Sequence, residues 1–294
     1  RVPADANPQC WGYFADSMGS LDRYYSNDAK RQERFRAFAI KTLRPAFDRV
    51  GWEAKAGEAD PIAILRTQLI GTLSQLGDEA VIAEARRRFA ASATDADAMP
   101  APLRRTILGV VAEHAAGATC RGERGATGRW RQGVVREHPD DARWDKLHAM
   151  AKTEKTPLVR DQLYTMLSIA EDPKIAQRAL ELALTDEPGE TNSAGMIAYV
   201  AQQHPDQAFD FALANRDAVG KRVDTTSQSR YFPSLASSSL DPAMVGKLRS
   251  YADQHIAAGS RRPTETAIAN IEYRVKVRKE RMGEIDAWLE KQGG

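Results

Sequence analysis

Apolar residues recur along the chain at intervals of three and four, the spacing that places them on one face of an α-helix. Ile62, Leu65, Leu69, Leu73 and Leu76 fall at offsets 0, 3, 7, 11 and 14. Val159, Leu163, Met166, Leu167 and Ala170 form a second stripe, and Ile175, Ala179, Leu182 and Ala183 a third. A fourth runs through Met244, Leu248, Tyr251, Ala252 and His255. No run alternates in the manner of a strand bounded by hairpin turns. Asp60-Pro61, Asp172-Pro173 and Asp241-Pro242 each precede a stripe. An aspartate can accept from the free N–H groups of a first turn, and proline fits where an N–H would lack a partner. Gly51 and Gly77 follow apolar stretches and mark stops. Asp186 to Asn192 and Ala257 to Pro263 read as polar connections.

Short helices joined by short polar links predict antiparallel helix pairs stacked into a curved solenoid. The expected fold is all-α, a HEAT/armadillo-like right-handed α-solenoid forming a single domain over residues 1–294. Neither the tetratricopeptide nor the ankyrin signature is present. The last stripe, Ile268, Ile271, Val275, Met282, Ile285 and Leu289, predicts one long helix covering an open end of the stack. Arg278 interrupts that stripe, and Trp288 sits near its end.

Composition refines this picture little. The 294 residues hold 42 Lys and Arg against 40 Asp and Glu, a net charge of +2. That balance gives no reason to expect nucleic acid as a partner. No stretch reaches the roughly 18 apolar residues of a membrane helix. The first eight residues lack the apolar core of a signal peptide, and no initiator Met is present. The expectation is a soluble piece of a longer protein, beginning partway into its helical domain, with cytoplasmic and periplasmic or secreted locations both open. Cys10 and Cys120 read as free structural thiols, a disulfide between them remaining the alternative.

Candidate chemistry is sparse. The five histidines, His114, His138, His148, His204 and His255, form no H-E-x-x-H pair. Glu137, His138, Asp140 and Asp141 are the best local metal-like cluster, but with Pro139 they read as a helix start. A metal hydrolase centred there is the weaker alternative. Glu113 and His114, adjacent on a helix, should face different directions and form a half-exposed surface pair. Gly117 to Gly128, with Arg121 and Arg124, lacks the Gly-Lys-Ser/Thr of a phosphate loop and reads as an inter-helix connection. Ser234, Ser237, Ser238 and Ser239 lack a Gly-x-Ser-x-Gly elbow and read as loop and cap residues. Trp11, Tyr13, Phe14, Tyr24 and Tyr25 lie at core-packing spacing.

Several stretches resemble, in order, the C-terminal helical domain of the aminopeptidase N family of zinc peptidases, which includes the endoplasmic reticulum aminopeptidases. They are Leu43-Arg44-Pro45 with Phe47 closing on Gly51-Trp52; Asp60, Ile64, Leu65-Arg66, Leu69 and Ile70; and Ala85 and Arg88-Phe89 followed by Pro102-Leu103-Arg104. Trp144-Asp145 with Leu147, Leu163 to Leu167 before Asp172-Pro173, and Arg261 to Leu289 continue the series. The zinc motif and the Gly-x-Met-Glu-Asn substrate loop of the family are absent, so no catalytic, cofactor or metal residue carries over. The resemblance implies a non-catalytic domain that packs beside the catalytic domain of the same polypeptide. It would close a chamber over zinc held there, with peptides trimmed from their N-termini as substrates. Arg261, Arg262, Arg274 and Arg278 are the candidate contacts to the peptide. The competing reading is a free-standing HEAT-like scaffold that binds proteins.

Overall fold

A computed structural model describes residues 6–26, 28–115 and 139–292. Among them are fifteen α-helices, three short 3-10 turns and no strand. The Gly117 to Gly128 loop, Cys120, Glu137 and His138 lie outside the described residues, as do the side chains of Asp140 and Asp141. The chain divides into two compact units, Arg1–Val111 with Tyr273–Gly294, and Ala112–Glu272.

The first unit opens with α1 (Pro8–Asp22), α2 (Ala29–Val50), α3 (Asp60–Gln75) and α4 (Glu79–Ala91); the unit boundary falls inside α5 (Ala101–Glu113). Asn7 caps α1 by accepting from Gln9 N, and Asp28 caps α2 by accepting from Arg31 N. Gly12 and Gly19 on α1 lie against Gln68 and Gln75 on α3. The step is seven residues on both helices, so α1 and α3 run parallel, and α2 packs against both. A Cβ on Gly12 would sit 2.4 Å from Gln68 Oε1, the far end of a flexible side chain, so Gln68 would have to move aside to admit it.

The predicted stripe on α3 is the heart of this unit. Leu65, Leu69, Leu73 and Leu76 are buried, with Ile62 at the margin. Between them lies a buried arginine. Arg66 donates through Nε to Gly51 O (2.9 Å), through Nη2 to Val50 O (3.0 Å), and through both terminal nitrogens to the Glu58 carboxylate (2.7 and 2.6 Å). Carbonyls that α2 leaves open at its C-terminus thereby find donors. Gly51 adopts φ +60°, which only glycine takes without strain. Asp78 accepts from Ala80 N and Val81 N at the start of α4 and pairs with Arg44 of α2. At the first predicted proline start, Asp60-Pro61, the cap differs from expectation. Ala59 precedes α3, Asp60 is already helical, and its side chain makes no capping bond. Asp172 and Asp241 do accept as expected, from Lys174 N (2.8 Å) and Ala243 N (2.9 Å).

The second unit contains α6 (Pro139–Thr153), α7 (Pro157–Met166), α8 (Pro173–Ala183), α9 (Glu190–Gln203), α10 (Pro205–Ala214), α11 (Arg216–Gly220), α12 (Gln228–Ala236) and α13 (Ala243–His255). Its cross-helix bonds recur at nearly constant sequence separation. Tyr231 Oη donates to Ala194 O and Ser238 Oγ to Ala201 O, both 37 residues apart, so α9 and α12 run parallel. His204 Nε2 donates to Ala170 O and Gln207 Nε2 to Pro173 O, both 34 apart, which aligns α10 with α8. Asp145 with Arg178 (33 apart) and Asp210 with Lys247 (37 apart) tie α6 to α8 and α10 to α13. With the five-residue α11 passed over, alternate helices of this unit therefore run in the same direction, as repeated antiparallel pairs require.

The chain ends with α14 (Arg262–Glu280), inside which the unit boundary falls, and α15 (Met282–Lys291). One long helix was expected here, but it breaks at Arg281 (φ −110°, ψ −29°). The 3,4 spacing in the sequence continues across the break, from Val275 to Met282, and so does not mark it. Two other expectations fail at stripe ends. Val159 and His255 are exposed, since each lies in the terminal turn of its helix and beyond the packed partner. Of the early aromatics, Trp11 and Tyr25 are buried, whereas Tyr13 is 76% exposed.

Candidate functional site

The four candidate arginines meet different surroundings. Arg261 donates through Nε to Ile256 O (3.1 Å) and through Nη1 to Asp253 Oδ1 (2.6 Å), so its guanidinium closes the C-terminal end of α13. Arg262 opens α14 and is exposed. Arg274 is half-buried, its guanidinium 5.9 Å from the centre of the Tyr24 ring. Arg278 is half-buried in the last turn of α14, where a cation also meets the negative end of the helix dipole. Arg274 and Arg278 are one turn apart and share the face that buries Ala267 and Ile271 earlier in the same helix. Two forked donors thus line a face that would otherwise continue apolar.

A second constellation escaped the sequence reading. Trp144, His148 and Lys152 follow one another at steps of four along α6 and therefore share a face. Glu187, from the turn after α8, reaches that face. Its Oε1 lies 2.5 Å from His148 Nε2 and accepts from Tyr164 Oη at 3.0 Å, and its Oε2 lies 3.2 Å from Lys152 Nζ. A carboxylate only accepts, so His148 carries its proton on Nε2. Burial alone would raise the Glu187 pKa; bonds from His148, Lys152 and Tyr164 outweigh it and hold the carboxyl below its ordinary range. Burial, then Glu187, pushes the Tyr164 hydroxyl up to about 12. The Trp144 ring lies 5.1 Å from that of this histidine, tilted by 51°, and the Arg178 guanidinium lies 4.2 Å from its centre. Both oxygens of Glu187 are engaged, so the cluster orders a turn rather than presenting a free base. The spacing on α6 was legible; the carboxylate, 39 residues from the histidine, was not.

Glu113 and His114 also differ from expectation. His114 Nε2 lies 3.9 Å from Glu113 Oε2, and Nδ1 lies 3.3 Å from Glu171 Oε2. Glu113 and His114 are 15% and 10% exposed and meet a third, more exposed side chain, Glu171, so they are not a surface pair alone. α5 ends at Glu113, so His114 stands beyond the helix, where helical spacing no longer sets direction. Of the serines, Ser239 Oγ accepts from Asp241 N before α13, whereas Ser234 lies inside α12; Ser234, Ser237 and Ser238 donate to backbone carbonyls. Cys10 is an exposed free thiol. Among the described residues, no three His, Cys, Asp or Glu side chains converge to hold a metal ion. No described helix is long and apolar enough to cross a membrane.

The sequence profile of the ERAP1-like C-terminal domain matches residues 2–273. The chain belongs to that family. A rice protein (Oryza sativa subsp. japonica), Aminopeptidase M1-A, is 46% identical over 56 residues, covering 19% of this chain and 6% of the relative's own length. Arg261 and Arg262 fall inside the span that the profile matches. Arg274, Arg278 and all of α15 fall beyond it.

Proposed function

We propose that this chain serves as the non-catalytic C-terminal domain of a zinc-dependent aminopeptidase that trims N-terminal residues from peptides. The single observation that carries this reading is membership of the ERAP1-like C-terminal domain family over residues 2–273. The sequence itself holds no H-E-x-x-H, so the zinc and the catalytic glutamate belong to the catalytic domain of the parent polypeptide. Bonds repeating every 33 to 37 residues within the second unit support stacked helix pairs there, and we read the stack as a HEAT-like right-handed solenoid. In this role the domain closes the substrate chamber over the catalytic domain.

Peptide contact falls to Arg262, Arg274 and Arg278, with Arg261 fixing the turn that precedes them. A guanidinium can hold a carboxylate with two parallel bonds, which an ammonium cannot. The test uses a polypeptide that joins this domain to a family catalytic domain. Arg262→Ala, Arg274→Ala and Arg278→Ala are compared by kcat/KM on long peptides and on single-residue chromogenic substrates. A loss confined to long peptides is expected. Equal losses on both rule out peptide reading, and an equal loss with a lower Tm assigns the residue to packing.

A further inference from the structure

We propose that α15 is a releasable strap and that the surface of α2 beneath it is a docking site for an acidic amphipathic helix, normally filled by the chain's own α15. The strap is short, ten residues, and a helix of that length is marginal in water without tertiary support. It follows the break at Arg281 and carries a glycine, Gly283, in its first turn. Only Met282 and Leu289 of its side chains are fully buried, with Ile285 partly so.

What holds it is a latch of charge and aromatic edges on α2 and the turn before it. Asp286 accepts from Arg31 Nε (2.8 Å) and Nη2 (2.5 Å) and from Tyr25 Oη (3.1 Å). Glu290 pairs with Arg34 Nη1 (2.9 Å), and Trp288 meets Phe38 edge to face with ring centres 5.1 Å apart. Burial, reinforced by Asp286, keeps the Tyr25 hydroxyl protonated well above its ordinary range, so it remains a donor to that carboxylate. The pattern on the strap is apolar at 282, 285 and 289, acidic at 286 and 290, with an aromatic at 288. The pattern on α2 is its complement, Arg31, Arg34 and Phe38. The strap lies wholly beyond the residues that the family profile matches, while its seat on α2 lies within them. A helix held mostly by exposed or half-exposed charge pairs opens far more readily than one held by a core.

The experiment compares the full chain with a full-length variant carrying Asp286→Asn and Trp288→Ala. Hydrogen exchange at the amides of α15 is expected to be at least about tenfold faster in the variant, the loss that charged hydrogen bonds of this kind produce. Amides of α9 and α10 should be unchanged. A fluorescent peptide of residues 282–292 should then bind the variant saturably, bind wild type at least about tenfold more weakly, and lose affinity when it carries Asp286→Asn. Unaltered protection of α15 in the variant overturns the latch. Loss of protection in α9 and α10 as well makes α15 part of the cooperative core and overturns the strap. Absence of peptide binding to a variant whose α15 has opened overturns the docking site.

Discussion

α3 buries Leu65, Leu69, Ile70 and Leu73 together with the guanidinium of Arg66, whereas α15, from a stripe of similar spacing, fully buries only Met282 and Leu289. The two differ in what surrounds the stripe. α3 is flanked by α1, α2 and α4, and its arginine satisfies the open carbonyls of a neighbouring helix end. α15 packs chiefly on α2 and makes up the difference with ion pairs at its polar edge. Spacing sets which face turns inward; the number of neighbouring helices sets how much free energy that face supplies.

The largest effect should come from breaking the α3 side of this comparison. Arg66→Met leaves Val50 O and Gly51 O without their donors, at about 1–3 kcal/mol each. Thermal unfolding followed by circular dichroism should show a large drop in Tm, and an unchanged Tm would mean that water replaces the arginine. Leu69→Ala should cost about 2–5 kcal/mol, the range for a leucine removed from a packed core. Leu289→Ala should cost less in global stability and act mainly on amides of α15. Equal global losses for the two leucines would erase the distinction between core and strap.

Glu187 gives a smaller, pH-dependent effect. Its pKa is lower folded than unfolded. Its stabilisation is therefore complete above the ordinary carboxylate value and is lost as pH falls through the lowered one. Tm measured against pH should fall more steeply in acid for wild type than for Glu187→Gln, and parallel curves would show that the bonds from His148, Tyr164 and Lys152 contribute nothing net. Smallest is Gly12→Ala. The new methyl meets only the end of the Gln68 side chain, which can swing aside, and alanine favours the helix by up to about 1 kcal/mol. A Tm within a few degrees of wild type is expected; a collapse would mean that Gln68 is fixed where it lies.

Helix content and the α3 core were legible because periodicity reports burial directly when neighbours lie on several sides. Asp172 and Asp241 cap as their sequence context implies, while Asp60 does not, because the chain enters α3 one residue earlier. The break at Arg281 was hidden because the sequence keeps its 3,4 spacing across it. The Arg66 clamp was not legible, and of the Glu187 hub only the spacing along α6 was. Each joins residues from separate elements, and one sequence carries no record of which polar groups meet across a fold. Of the candidate arginines, sequence alone separated Arg278, by its place in an apolar stripe, but gave no hint that Arg261 closes α13.

The most direct test of the proposed role is turnover of an aminoacyl chromogenic substrate by the purified chain with added zinc. A non-catalytic domain predicts no hydrolysis above the protein-free control. Robust, chelator-sensitive turnover by homogeneous protein would contradict it.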